Sequence, residues 1–367
     1  MKILLIHLVG GGGGIELYTS QVANSLSRQN SDVTLLIGSY IFNENYYKDS
    51  KVKIILIDSQ KSYPKMLIKL LNPLTYHKLL GIINKEKPDV IHLTLEDLIS
   101  GVLFCFLKLK GNKLVLTEHD PELHSGEKLL VKIHLSFTKY LFRHFADKII
   151  VHGKKLKEIL IQKGVPENKV KVIPHGEFSY YTRWSDKIQE SKDTILFFGR
   201  IQEYKGLEYL IEAVPFIVSS IPNLKVIIAG EGDFDKYDKM IVDKKYFEIH
   251  NRYILDNEVA GFFQRANVVV LPYKDGTQSG VVPIAYSFKK PVIVTKVGSI
   301  EEVVDDGLTG LLIPAKNTNA LANAVINILD NPLMAKKMGE NGYNKIKSEL
   351  SWDEIAKKTI ETYREIL

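Results

Sequence analysis

The stretch Thr194–Val218, TILFFGRIQEYKGLEYLIEAVPFIV, decides the fold. Ile195 to Phe198 form a short apolar run closed by a glycine, the pattern of a strand buried on both faces of a parallel sheet. Leu207, Leu210, Ile211, Val214, Ile217 and Val218 then share one face at helical spacing, which predicts a packed helix. Between strand and helix lies the turn Gly199-Arg200-Ile201-Gln202-Glu203-Tyr204-Lys205-Gly206. It follows the carboxyl end of a strand, where open parallel sheets bind their ligands. Arg200 and Lys205 on that turn suit an anion, because a guanidinium spans two oxygens at once and an ammonium acts as a mobile point charge. A diphosphate fits such a pair.

The same alternation continues on both sides. Lys2 to Val9, Val33 to Gly38, Val52 to Ile57, Asp89 to Leu93, Lys113 to Thr117, Lys148 to Val151 and Val170 to Ile173 read as short buried strands, many with helical patterns between them. Residues 1–180 are therefore expected to form one doubly wound parallel sheet. Lys225 to Ala229, Asn267 to Leu271, Pro291 to Thr295 and Leu311 to Ile313 extend the rhythm from Thr194 into a second α/β domain over residues 190–350. Phe178 to Asp193, polar, aromatic and uneven, reads as a linker and hinge.

With 367 residues, 45% of them hydrophobic, the chain can fill two cores. Its longest apolar stretch, around Ile99 to Leu107, falls well short of the ~20 residues that span a bilayer. The apolar start Met1 to Ile6 runs into His7 and a glycine cluster with no small-residue cleavage site, so it reads as a first strand rather than a secretory signal. A single cysteine, Cys105, rules out an internal disulfide and suits a reducing cytoplasm; its apolar surroundings make it a core residue. The net charge of +6 divides into +8 over residues 1–178 and −2 over the rest. That basic excess lies in lysine-rich helical patterns without base-stacking aromatic motifs, which argues against nucleic acid and toward an anionic membrane face.

FFGRIQEYKGLEYLIEA resembles the G-R-x-x-x-x-K-G signature of retaining family-4 glycosyltransferases, and the resemblance extends over nearly the whole chain. It implies the GT-B variant of the α/β class, with two Rossmann-like doubly wound parallel-sheet domains facing across a cleft and a C-terminal helix, residues 352–367, rejoining the first. It implies transfer of a sugar from a nucleotide-diphosphate donor with retention of configuration, no cofactor and no metal, Arg200 and Lys205 holding the donor diphosphate. The run Gly10 to Gly14 is not a dinucleotide fingerprint, because the sixth place counted from Gly10 or Gly11 is Ile15 or Glu16 rather than glycine. Gly-Gly-Ile-Glu does resemble the family's first loop, which implies Gly13 and Gly14 near the donor phosphates and Glu16 on the acceptor side. Thr117-Glu118-His119-Asp120-Pro121 matches the family's T-x-H-D-P segment, implying His119 beside the donor sugar, with Asp120 and His124 toward the acceptor. Tyr253 and Ile254 belong to a loop that in the family lies against the nucleotide base. Asp233-Phe234-Asp235 copies a metal-binding motif of a different fold and reads instead as a helix start.

One segment departs from the family pattern. Relatives carry two glutamates, the second seven positions before the next strand's proline; counting back from Pro291 puts Ile284 there, and the first falls on Gly276 or, with one residue of slippage, Asp275. What remains, Thr277-Gln278-Ser279-Gly280-Val281, resembles a subgroup with T-Q-S-G-V. Backbone N–H groups of Ser279, Gly280 and Val281 are expected to face the donor phosphate at a helix N-terminus, and Gln278 to replace carboxylate contacts. The resemblance tilts the acceptor toward a glycan or lipid-linked acceptor of cell-envelope polysaccharide synthesis. Lys61 to Lys87, with lysines bordering apolar positions, then suggests a cytoplasmic enzyme peripheral at an anionic membrane surface. Other readings are a phosphorylase or epimerase of the same fold, and a nucleotide-sugar-binding protein without transfer activity.

Overall fold

The computed structural model describes residues 1–8, 14–48, 50–59, 68, 71–122, 129–185, 188 and 190–367, with the side chains of 129–134 set aside. It divides into two compact units, the chain passing from the first to the second after His175 and returning to the first at Ser351–Leu367.

In the first unit, β1 (Lys2–His7), β2 (Asp32–Gly38), β3 (Lys53–Ile57), β4 (Val90–Leu93), β5 (Leu114–Thr117), β6 (Lys148–Val151) and β7 (Val170–Val172) form one parallel sheet in the order β3-β2-β1-β4-β5-β6-β7. The connecting helices are α1 (Gly14–Arg28), α2 (Pro73–Glu86), α3 (Leu98–Leu109), α4 (Leu129–Phe145) and α5 (Lys154–Gln162). Strand order reverses between β1 and β4, and the crevice at the carboxyl ends of such a pair is where doubly wound sheets hold ligands. The strands are apolar on both faces because helices cover both; Leu4, Ile6, Ile91, Leu93 and Leu116 pack with Leu103 and Phe104 of α3 and Phe142 of α4. Local signals set the helix starts. Asn72 accepts the N–H of Leu74 before Pro73 opens α2, and Asp97 accepts that of Ser100 at the head of α3.

α2 spends its apolar face on this core: Tyr76, Leu79 and Ile83 are buried, and Leu80 and Ile82 pack against them. The expected membrane-facing stripe is thus not carried by α2 beyond Leu74, which is exposed with Ile68 and Leu71. Lys61, Lys65, Met66, Leu67, Lys69 and Leu70 lie outside the described residues. Among the described residues no helix is long and apolar enough to cross a membrane.

The second unit repeats the design with β8 (Thr194–Phe198), β9 (Lys225–Ala229), β10 (Phe247–His250), β11 (Val268–Leu271), β12 (Val292–Thr295) and β13 (Gly310–Ile313), all parallel, in the order β10-β9-β8-β11-β12-β13. Its helices are α6 (Leu207–Ser220), α7 (Asp235–Asp238), α8 (Asp256–Arg265), α9 (Val281–Ser287), α10 (Thr318–Asp330) and α11 (Pro332–Ser348). The order reverses here between β8 and β11. The last helix, α12 (Trp352–Arg364), begins where the Ser351 hydroxyl accepts the N–H of Glu354 and belongs to the first unit, packed on α1 through Tyr18–Trp352 and Arg28–Asp353.

Three expectations need correction. β10 is missing from the sequence reading, because Phe247-Glu248-Ile249-His250 is half-buried at a sheet edge and its polar members break the apolar run. The expected linker Phe178–Asp193 opens with an ordered 3-10 turn, Ser179–Trp184, whose Tyr180 and Tyr181 are buried with the preceding Phe178 within the second unit, so the division falls at His175 rather than near residue 180. What looks uneven in the sequence there is aromatic burial. Several strands also begin one residue later than expected, and Val9 lies outside the described residues.

Candidate active site

The turn after β8 and the loop after β11 flank the switch point of the second sheet. Gly199 and Gly206 bracket that turn with positive φ, +111° and +64°, which side-chain-bearing residues rarely adopt. A Cβ on Gly206 would stand 2.0 Å from the carbonyl oxygen of Pro272, so the turn and the β11 loop touch backbone to backbone there. The Tyr204 carbonyl fixes the approach by accepting the N–H of Lys274 at 2.7 Å.

This places the two signature cations in different surroundings. Arg200 is exposed and forms no ion pair with a described residue. Lys205 is only 8% exposed, and its ammonium donates to the phenol oxygen of Tyr273 at 2.9 Å, 4.8 Å from that ring's centroid. No carboxylate among the described residues pairs with it. Burial pulls its pKa down, but the Tyr273 and Tyr204 phenols outweigh burial and hold the amine above its usual value, so it stays charged.

Around this pair, Ser279 Oγ lies 3.3 Å from Tyr273 Oη and accepts the Val281 N–H at 3.2 Å. The Val281 amide, expected to face a phosphate, is therefore taken by Ser279. Gly280 lies against the Phe178 ring at the head of α9. The side-chain oxygen of Gln278 is buried without a partner among the described residues, and Asp275 is exposed, accepting the N–H of Gly276. Ile284 is 6% exposed inside α9 and offers no polar atom. Tyr253 and Ile254 follow β10 at the edge of the sheet, Tyr253 exposed and Ile254 buried. Asp233 accepts the N–H of Asp235 ahead of α7, the role expected of a helix start.

In the first unit, histidines gather at the carboxyl ends of β1, β4, β5 and β6. His119 is buried, its Nε2 3.0 Å from the Thr94 carbonyl and its Nδ1 3.1 Å from Nε2 of His152, whose Nδ1 in turn donates to the Ile173 carbonyl. Tyr18, His175 and Trp352 wrap these rings. Desolvation lowers the pKa of His119, with Asp120 pulling the other way, and lowers that of His152 well below its ordinary value. Asp120 is half-buried, and its carbonyl accepts from the Lys139 ammonium at 2.6 Å. Glu16 does not present a free carboxylate: it is 4% exposed and accepts the N–H of Asn43 at 2.5 Å. Gly14 is exposed at the start of α1, whereas Gly13 and His124 lie outside the described residues.

Tyr273, Thr94 and His152 escape the sequence reading. His152 carries a usable signal, a histidine directly after an apolar strand and beside the strand that carries His119; Tyr273 carries none.

Two doubly wound parallel sheets, each with polar groups gathered at its switch-point edge, define a protein of the GT-B class. Among solved structures, sucrose-phosphate synthase from Thermosynechococcus elongatus matches with a TM-score of 0.79 at 21% identity, covering 99% of this chain and 98% of that one. Anabaena HepE in complex with UDP-glucose matches with a TM-score of 0.77 at 18% identity over the whole of both chains. Residues 12–176 match the family model Glycosyltransferase Family 4, and residues 181–345 match Glycosyl transferases group 1. The chain belongs to the glycosyltransferases of this group 1 and family-4 type. It is 27% identical to an uncharacterised glycosyltransferase of Methanocaldococcus jannaschii, over 96% of this chain and 94% of that protein. It is 24% identical to the capsular polysaccharide biosynthesis glycosyltransferase CapM of Staphylococcus aureus, over 96% and 95%.

Proposed function

We propose that this glycosyltransferase moves a hexose from a nucleotide-diphosphate sugar to a glycan or lipid-linked acceptor of a cell-envelope polysaccharide, with retention of configuration and without a metal. The observation that carries this reading is Lys205: a charged ammonium 8% exposed, on the same turn as exposed Arg200, neither of them paired with a carboxylate among the described residues. Buried charges are normally paired, so an anionic ligand is the natural complement. The likeness to HepE, a protein solved with UDP-glucose bound, supports a nucleotide-diphosphate sugar as donor, and the likeness to CapM, a capsular polysaccharide glycosyltransferase, supports the acceptor class.

In the chemistry that follows, the glycosyl bond to the diphosphate breaks while the acceptor oxygen bonds to the anomeric carbon on the same face. A departing phosphate oxygen takes the acceptor's proton. Arg200 and Lys205 offset the charge that develops on the diphosphate, the task a metal performs elsewhere. For His119 to reach a sugar hydroxyl, its Nε2 must exchange the Thr94 carbonyl for that hydroxyl. Exposed Ile68, Leu71 and Leu74 support seating at the anionic inner face of the cell membrane.

A thermal-shift screen of UDP-, GDP- and ADP-sugars tests the donor, since a ligand at 100 times its Kd adds about 2.7 kcal/mol. The anomeric configuration of the product, read by NMR with and without EDTA, then tests retention and metal independence. Apolar Ile284 at the family's second glutamate position favours one rival, a protein that binds nucleotide sugars without transferring them. Donor turnover with any acceptor excludes it.

A further inference from the structure

We propose that Tyr273 is a positioning residue: its phenol fixes the Lys205 ammonium and turns the Ser279 hydroxyl into a donor aimed at a diphosphate. This rests on the reading of the site as one for a nucleotide-diphosphate sugar and adds the group that arranges it.

The direction of each hydrogen bond follows from what the atoms can do. An ammonium has three N–H donors and no acceptor, so in the 2.9 Å contact Tyr273 Oη accepts from Lys205. Tyr273 is 1% exposed, and Ser279 Oγ at 3.3 Å is the acceptor its buried proton finds among the described residues. Ser279 Oγ also accepts the N–H of Val281 at 3.2 Å. Both acceptor positions of the serine oxygen are then filled, and its own proton must point away from both partners.

Around Tyr273 Oη, two N–H groups of Lys205 and the O–H of Ser279 are therefore donors left uncommitted among the described residues. A group that is acceptor-only on every side satisfies all three at once, and phosphoryl oxygens are such a group. A sugar hydroxyl or a cation is not. Gly199 leaves the space, since a Cβ there would lie 3.1 Å from the Lys205 nitrogen and 3.8 Å from Val281. Tyr273 also couples two segments far apart in sequence, so its hydroxyl sets where the ammonium stands relative to the Ser279 loop.

The test is titration calorimetry with inorganic pyrophosphate, UDP and uridine on the wild type, Tyr273→Phe, Ser279→Ala and the double variant. Phenylalanine keeps the ring and loses the oxygen. Tyr273→Phe is expected to weaken pyrophosphate and UDP by about tenfold, the worth of a charged hydrogen bond, and to leave uridine unchanged. Adding Ser279→Ala is expected to cost less than it does alone, because the serine proton is no longer directed. The phenylalanine variant is also expected to lose pyrophosphate affinity at a lower alkaline pH than the wild type, its amine being desolvated without the phenol's help. A general loosening of the loops would instead weaken uridine and lower Tm. Unchanged pyrophosphate affinity in Tyr273→Phe, or fully additive losses, overturns the proposal. Pyrophosphate binding that depends on Tyr273 in a protein that takes no nucleotide sugar would sink the donor reading and leave this one standing; a wild type that binds neither overturns both.

Discussion

Nδ1 of His119 and Nε2 of His152 lie 3.1 Å apart, and the outer nitrogen of each ring is turned to a backbone carbonyl, Thr94 for the first and Ile173 for the second. A carbonyl only accepts, so each outer nitrogen needs a proton, and the inner contact needs one more. Three protons on two rings leave the pair with one positive charge. Burial opposes that charge and lowers the pKa of both rings. Two protons serve only two of the three contacts, so the neutral pair gives up either the inner His119–His152 hydrogen bond or one carbonyl; where it gives up Thr94, Nε2 of His119 is left with a lone pair for a hydroxyl.

The pH dependence follows with a definite sign. Desolvation, reinforced by His119, pushes His92 from 6.5 to about 3, and the folded values of His119 and His152 also fall below 6.5. The unfolded chain binds these protons first, so the stability the three rings contribute is present above pH 6.5 and is lost as pH falls toward their folded values. Each gives a slope of up to about 1.4 kcal/mol per pH unit. Glu96, raised by burial to about 7, and Asp97, raised to about 6, act in the opposite sense. Ring nitrogen shifts separate the groups: His92 is expected to be still neutral at pH 5.5, with His119 and His152 charging below the ordinary histidine value, and a His92 ring charged there would refute the burial argument.

Lys205→Met should separate binding from folding. Donor affinity is expected to fall by about 1.5 to 3 kcal/mol, the worth of charged hydrogen bonds, with Arg200→Ala losing a similar amount. The fold should suffer little, because a methionine fills the same space and gives up only the hydrogen bond to Tyr273, no carboxylate among the described residues being left unpaired. Calorimetry with the donor and a melt without it check both halves; a large fall in Tm would mean that the lysine is chiefly structural.

Much of this is legible in the sequence and some cannot be. The turn Gly199–Gly206 stands out because a buried strand, two glycines and an amphipathic helix each leave a local trace. The start of α12 is legible in Ser351-Trp352-Asp353-Glu354, a cap with acidic residues in the first turn, whereas its return to the first unit is implied only by the family resemblance. Tyr273 reaches Lys205 across 68 positions and His152 reaches His119 across 33, and no local pattern records pairings made only when strands align. Glu16 misleads for a related reason: in sequence it is a carboxylate beside a glycine loop, and only the fold brings the Asn43 amide to it.

Gly206→Ala should injure the site through the backbone. At φ +64° any other residue is strained, and the added Cβ would stand 2.0 Å from the Pro272 carbonyl, forcing apart the turn of Lys205 and the loop of Tyr273. A loss of more than about 1 kcal/mol of stability is expected, with a clear fall in donor affinity. Urea denaturation and calorimetry read the two; an alanine variant with wild-type values in both would show that the loops are not clamped there.

Restoring the family's second carboxylate should fail. Ile284 is 6% exposed inside α9, and Ile284→Glu would bury an unpaired carboxylate at a cost of roughly 3 kcal/mol. For a domain of this size that lowers Tm by about 6 to 12 °C. Tighter donor binding at an unchanged Tm would mean that position 284 faces the ligand after all.

The membrane proposal rests on fewer residues than the lysine-rich pattern suggests. Because Tyr76, Leu79 and Ile83 face the core, the apolar surface left for lipid among the described residues is Ile68, Leu71 and Leu74, exposed by 68%, 81% and 72%. Lys78 and Lys85 on the outer side of α2 are exposed and can meet anionic headgroups, each adding up to about 1 kcal/mol. Two inserted leucines would add a few kcal/mol more, on the order of 1.5 to 3 each when fully buried. Co-sedimentation with liposomes should therefore require anionic lipid, weaken at high salt, and fall sharply in the double variant Leu71→Asp, Leu74→Asp, while that variant keeps its Tm because neither side chain packs on the core. Binding indifferent to both leucines would assign the attraction to charge alone, and no binding at low salt would remove the membrane and point to a soluble glycan acceptor.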